Sequence, residues 1–553
     1  MRSGRCALAA LVVAASCARD ERAWFRECAA ERGLAWTHVR SHEQRYWFPE
    51  IMGGGVGLLD VDGDGQMDVY LVQSGDLAAP DPGETGRLFR NTGGRFVDVT
   101  ASAGGADPGY GMGCACGDAD EDGDTDLYVT KVGPNSLWRN DGGVLHDVTA
   151  GAGVGEPSWS TSAAWLDDDA DGDLDLYVAN YVRWSSATEI QCRSPEGGQD
   201  YCSPKSYDAP LRDVLYRNEG GGRFRDVSEE AGLWTAFGNG LGVVPGDFDD
   251  DGRLDVFVAN DLMPNQLWMN RGDGTFVDRA LLAGCAVNRD GAAEAGMGTA
   301  AIDIEDDGDL DLFVTHLRDE TNTLWRNRGG NFQDSTPALG LGAPSLPFTG
   351  FGTGFFDFDR DGLLDVLVAN GAVTRNRVAY EPGDPYAEPM LLFRGLRAED
   401  GASRYEEVLP RGGTTAPLTV NGRGAAFGDL DGDGDIDAVV VDNGGPVRLL
   451  ENVAAPGRRW VGLSVLERSG RLALGARVWI ECGGRRYHRT VESASSYCAS
   501  NDPRVFCGLG DGPADASVDV EVHWVGGEVE RFGPLAPGSL HVVRRGEGSR
   551  AGG

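Results

Sequence analysis

One acidic nonapeptide occurs seven times in the chain, beginning at Asp60, Asp118, Asp167, Asp247, Asp303, Asp357 and Asp429. Its first, fifth and ninth residues are Asp, its third is a carboxylate and its sixth is Gly. The candidate ligand sets are Asp60, Asp62, Asp64 and Asp68; Asp118, Asp120, Asp122 and Asp126; Asp167, Asp169, Asp171 and Asp175; Asp247, Asp249, Asp251 and Asp255; Asp303, Glu305, Asp307 and Asp311; Asp357, Asp359, Asp361 and Asp365; and Asp429, Asp431, Asp433 and Asp437. Carboxylates on alternate residues of a curling loop converge on one point, and Gly at position six permits the sharp turn. Such an oxygen-only set suits Ca2+, and the seven copies predict up to seven ions. Position seven runs through Gln66, Asp124, Asp173, Arg253, Asp309, Leu363 and Asp435, a spread that fits a backbone carbonyl ligand and not a side chain. An EF-hand shares the first half of the pattern but needs Glu at position twelve between two helices. Position twelve is Leu71 or Val in every copy and belongs to strands such as Val69-Tyr70-Leu71-Val72, so that reading fails.

The elements that must hold these loops repeat with them. A Gly-rich apolar strand precedes each loop and a β-branched, aromatic strand follows it. Then come a third strand of the type Leu137-Trp138-Arg139-Asn140, a Gly turn, and often a fourth like Phe96-Val97-Asp98-Val99-Thr100. Four-stranded units repeated at roughly 50 to 60 residues predict an all-β fold, a seven-bladed β-propeller with calcium-binding Asp loops. The seventh unit lacks its fourth strand, and Phe25 to Leu34 lines up with Phe224 to Leu233, so the N-terminus is expected to supply it. That placement makes Cys28 the equivalent of Val227, a structural position.

These repeats resemble integrin-α-like FG-GAP or VCBS repeats. Asn260-Asp261-Leu262-Met263-Pro264-Asn265 and Tyr201-Cys202-Ser203-Pro204 look like the subfamily related to cartilage acidic protein. After Arg458, the motifs Gly475-Ala476-Arg477-Val478, Phe506-Cys507-Gly508-Leu509-Gly510 and His523-Trp524 are similar to the ASPIC/UnbV domain of the same proteins. Alternating apolar residues and Gly turns there independently suggest a small β-rich module. The chain departs from the family at Ala372, where His is expected, and at Cys498 and Cys507. The resemblance implies extracellular binding or adhesion and dependence on Ca2+. The expected organisation is a signal over 1–19, the repeat array over 22–453, the C-terminal β domain over 458–545 and a disordered tail over 546–553.

Charge and cysteines agree with an exported protein. The formal net charge of −38 argues against nucleic acid and anionic membrane surfaces, and seven divalent ions would return +14 and leave −24. Arg2 and Arg5 precede an apolar run, Cys6 to Ser16, that is too short to span a bilayer. Ala14-Ala15-Ser16-Cys17 resembles a bacterial lipoprotein signal with Cys17 as the lipidated first residue; an ordinary signal peptide cleaved nearby is the alternative. Eleven cysteines without a CxxC pair fit an oxidising compartment. Cys192 with Cys202, and Cys498 with Cys507, are the expected disulfides. Cys114 and Cys116 sit at strand spacing, either as small buried residues or as a bonded pair.

No catalytic centre stands out. Arg271-Gly272-Asp273 occupies the same hairpin turn as Arg328-Gly329-Gly330, Gly350 to Gly354 leads into a strand and not a phosphate-cradling helix, and the seven histidines show no zinc spacing. The insertions Trp184 to Pro210 and Gly371 to Pro389 fall at the end of the units opposite the Asp loops. Trp184, Tyr201, Arg377 and Tyr380 are the candidate ligand-binding residues, for an extracellular glycan or protein. The expected function is a calcium-binding adhesion module and not an enzyme. The alternative is a carbohydrate-active hydrolase or lyase on that same face, drawing on residues such as His316, Arg318, Asp319 or Tyr201.

Overall fold

The computed structural model describes residues 23–195, 197–398, 401–454, 457–510 and 516–550. Each nonapeptide connects two antiparallel strands, and the residue before it pairs with its ninth residue: Leu59 with Asp68, Gly117 with Asp126, Leu166 with Asp175. A third strand and, in most units, a fourth then follow antiparallel, as in Asp126–Lys131, Ser136–Asn140 and Leu145–Asp147. The seventh unit takes its outer strand from Phe25–Glu27, with Phe25 opposite Asn452.

The seven-bladed propeller is corrected by this pairing. The described strands form several small, open antiparallel sheets, each hydrogen-bonded within itself, and none closes into a barrel or curls strongly. What joins neighbouring units is side chains and close backbone approach. Asn140 Nδ2 donates to Val61 O, Asn218 to Ala119 O and Asn327 to Phe248 O, each time reaching the loop of the preceding unit. The sixth unit has Gly395 at this position, and Ser403 Oγ bonds Ile304 O instead. First strands approach so closely that a Cβ on Gly298 would stand 2.0 Å from Phe351 O, which explains their glycine content. Trp165, Trp268 and Trp325 fill the space between sheets and are at most 2% exposed.

The C-terminal region has a three-stranded sheet, Val505–Gly508, Trp460–Leu466 and Leu540–Arg544, and a five-stranded one centred on Val518–His523. Ser549–Arg550 pairs with the strand Val529–Leu535, where a disordered tail was expected; 551–553 lie outside the described residues. Its core is continuous with that of the second and third units: Val461, Val478 and Val520 pack in one cluster with Ala115, Trp165 and Leu176.

A segment over 493–502 leaves this region and runs among the first strands of six units. Ala499–Ser500 pairs in parallel with Val56–Leu59. Ser496 bonds Thr299 and Thr353, Cys498 N donates to Ser162, Ser500 Oγ accepts from Cys116 N, and Asn501 Oδ1 accepts from Phe427 N. A Cβ on Gly55 would meet Cys498 O at 2.6 Å, so the strand's small residues make room for this segment. Among the described residues no helix is long and apolar enough to cross a membrane.

Candidate functional site

Among the described residues, carboxylate oxygens from three aspartates of one loop lie within 4.8 Å of one another in groups such as Asp60, Asp62 and Asp68; Asp118, Asp120 and Asp122; Asp167, Asp169 and Asp175; Asp247, Asp249 and Asp251; and Asp357, Asp359 and Asp361. Buried oxygens of Asp118, Asp120, Asp167 and Asp431 have no hydrogen-bond partner, so the residues fit a hard divalent cation. The ninth aspartate has a second task that spacing does not disclose. Asp68 accepts from Val61 N at 2.9 Å with one oxygen and from Asn91 N at 2.7 Å with the other, and every loop repeats both bonds. It therefore stitches the loop to the third strand. Burial pushes its carboxyl up, to about 7 at Asp68 and about 8 at Asp126 and Asp255, against the two N–H donors that lower it.

The C-terminal domain covers this loop end and sets basic side chains on it. Arg471 lies 3.7 Å from Asp167 and also bonds Gly172 O; Arg477 lies 3.7 Å from Asp247. His488 Nδ1 stands 3.1 Å from Asp303, and Arg489 pairs with Asp306 at 2.9 Å. Arg504 bridges two loops through Gly65 O and Asp429 O while paired with Asp502. Sequence reasoning missed these residues, because their loop partners lie far away along the chain.

The opposite end carries two adjoining clefts. The connections that follow the second strands gather there, and one cleft of about 300 Å3 lies between Tyr201, Asp261, Leu317, Arg318, Asp319 and Thr374. Asp261 is 7% exposed; one oxygen accepts from Tyr181 OH and the other has no partner. Burial raises its carboxyl to about 7, with Tyr181 opposing. Glu50, also raised to about 7 by burial, accepts from Tyr201 OH at 3.2 Å. Asp319 is exposed, with φ at 72°.

Of the candidate ligand residues, Tyr201 is buried at the first cleft wall, while Arg377 and Tyr380 line a second, more open hollow that adjoins it. Trp184 lines neither and packs among Trp47 and Trp159, donating Nε1 to Glu189. His316 is buried, and desolvation lowers its imidazole to about 4. Ala372 is fully buried and bonds backbone to Tyr386.

Cys192 and Cys202 are joined, with S–S at 2.03 Å, and hold this insertion. The pair Cys498 and Cys507 is a correction: both are free and buried, the first in the inserted segment and the second on the strand Val505–Gly508. Cys114 and Cys116 are free thiols as well. Cys17 and the rest of 1–19 lie outside the described residues.

Residues 60–129, 201–258, 247–314 and 303–368 match the FG-GAP-like repeat, and residues 466–550 match the ASPIC and UnbV family. The chain is an FG-GAP-repeat protein with a C-terminal ASPIC/UnbV domain, related to the cartilage acidic proteins. Human cartilage acidic protein 1 is 29% identical over 316 residues, 55% of this chain and 43% of that protein, so the match spans less than half of the relative. Solved structures similar to this FG-GAP protein include a lectin from Burkholderia pseudomallei, 10% identical, covering 73% of this chain and 97% of that one at a TM-score of 0.42. A rhamnogalacturonan lyase from Bacillus licheniformis is 14% identical and covers 72% and 71% at 0.35.

The expected function is corrected on two counts. The repeat array is a set of open sheets and not a closed calcium-loop propeller. The expectation of a protein without catalysis is corrected as well: one cleft is lined by the buried carboxyl of Asp261, raised to about 7 by burial, and by the solvent-facing Asp319, two groups open to acid–base chemistry.

Proposed function

We propose that this FG-GAP protein is an exported, Ca2+-binding scaffold that cleaves a saccharide in the cleft remote from its Asp loops, as a hydrolase or lyase. The observation that carries the reading is Asp261, a buried carboxyl with one unpartnered oxygen in a cleft wall, held close to neutral pH. In a hydrolase, Asp261 gives its proton to the leaving glycosidic oxygen while Asp319 takes one from the water that attacks the anomeric carbon. Tyr181 positions Asp261, and Glu50 positions Tyr201.

Ca2+ belongs in the Asp loops, up to seven ions, as the oxygen-only donors and the orphaned carboxylate oxygens support. Those ions order the loops, and the loops fix the second strands whose far ends carry the cleft. Export follows from the reading of 1–19, with Cys17 bearing the lipid.

The test is a panel of polysaccharides incubated with Ca2+-loaded protein, with products read by mass spectrometry and by the ultraviolet absorbance of the unsaturated sugar a lyase leaves. Asp261→Asn is expected to lower turnover at least about a hundredfold without shifting the melting temperature. Equal turnover in Asp261→Asn would remove it from the chemistry.

A further inference from the structure

The Asp261 cleft runs into the second hollow, of about 640 Å3, and Arg318, Asp319 and Thr374 line both. Arg318 lines both spaces and Arg375 the second, and the side-chain hydrogen bonds of these two guanidinium groups go to neutral groups. Arg318 donates to Asn376 Oδ1 at 2.5 Å and Thr374 Oγ1 at 3.4 Å. The Arg375 side chain donates to Tyr46 OH and lies over that ring at 5.4 Å, while its backbone N–H takes Asp200. Neither forms an ion pair among the described residues. The second hollow sets Arg318, Arg375 and Arg377 against the carboxylates of Asp200 and Asp319, an excess of one positive charge in a chain with 87 acidic residues against 49 Lys and Arg, and that excess calls for an anion from outside.

We propose that the saccharide taken by this cleft carries an anionic substituent, a uronate carboxylate or a sulfate ester, held by Arg318 and Arg375 beside Asp261. This rests on the cleft being the saccharide site. A planar guanidinium recognises such oxyanions through paired N–H donors, and its neutral partners here fix its orientation without neutralising its charge. The net charge of −38 does not forbid the contact, because exposed charges are screened beyond about 10 Å at 0.1 M salt. The Asp loops lie at the far end of the units. Exposed Tyr380, packed on Phe348, offers a ring at the rim for the sugar's apolar face.

The experiment is calorimetric titration of the full, Ca2+-loaded chain with four oligosaccharides: an oligogalacturonate, its methyl ester, a sulfated oligosaccharide and a neutral cello-oligosaccharide. Either the uronate or the sulfated probe is expected to bind at least about tenfold more tightly than the ester and the neutral sugar, and which one does identifies the oxyanion. The Arg318→Gln/Arg375→Gln double variant is expected to lose that preference at an unchanged melting temperature. If a neutral sugar binds as tightly, and its binding is lost in Asp261→Asn but not in the arginine variant, the anion is overturned while the cleft reading stands. If none of the four oligosaccharides binds, the cleft reading falls and this one with it.

Discussion

Stripping divalent cations should reverse the pH dependence of this protein's stability. The ninth aspartate of each loop decides the sign. Asp68 is 1% exposed, and burial raises its carboxyl from 3.8 to about 7. A group raised in the folded state stabilises the fold fully below its unfolded pKa, and that contribution is lost as pH rises through the folded value. The metal-free chain should therefore weaken between pH 4 and about 8. A difference of about 3 pK units is worth about 4 kcal/mol for one such aspartate, the order of a large part of a domain's whole stability. Seven loops do not add simply, since chelated loops relax and admit water, but even a fraction of that sum is large. A bound cation offsets the cost by holding the carboxylates ionised, so the loaded protein should be flat or rising over the same window. The assay is thermal unfolding in excess EGTA and in excess Ca2+ at several pH values, with metal content by elemental analysis. Asp68→Asn should narrow the gap between the two conditions, since the amide has no charge to neutralise. Melting curves that coincide with and without EGTA at pH 8, in protein containing no Ca2+, would overturn this linkage.

Removing residues 23–33 deletes the strand Phe25–Glu27 and bares the edge of Arg448–Asn452, so the truncated chain should aggregate or lose cooperative unfolding; light scattering during a melt checks this. Arg504→Ala leaves Asp502 buried without its partner and frees two loop carbonyls, and should cost about 3 kcal/mol by denaturant titration. The intact mass of the mature protein should correspond to a chain beginning at a diacylated Cys17; a chain beginning at another residue without lipid excludes the anchor.

Much of this architecture is legible in the residues. The Asp spacing marks the loops, and the alternation of Val69-Tyr70-Leu71 and its equivalents marks the strands after them, because both are local consequences of chain geometry. The apolar run on both faces of these strands also foretells burial. What the residues concealed is non-local. Ser493 to Asp502 has no period to announce that it runs among six units, since its fit depends on small residues such as Gly55 and Gly113 supplied from elsewhere. Arg471, Arg477 and His488 look like ordinary polar positions of a β domain until docking brings them to the Asp loops. The propeller expectation failed because a repeat count describes the units and not how their sheets are joined. Cys498 and Cys507 looked paired because they are near in sequence, but both are free: Cys498 lies beside Ala499–Ser500, which pairs with Val56–Leu59, and Cys507 lies on the strand Val505–Gly508. Asp261 was visible only as part of a family motif; its role needed the burial and the unpartnered oxygen.

The decisive measurement is the product assay on a panel of neutral, uronic and sulfated polysaccharides, run with the Ca2+-loaded wild-type chain beside Asp261→Asn and Asp319→Asn. Shorter saccharides should appear from at least one polymer, formed by the wild-type chain and reduced at least about a hundredfold in Asp261→Asn at equal Ca2+ content and melting temperature. A correctly folded, Ca2+-loaded protein that releases no product from any of them, or an Asp261→Asn variant as active as the parent, would rule out catalysis in this cleft.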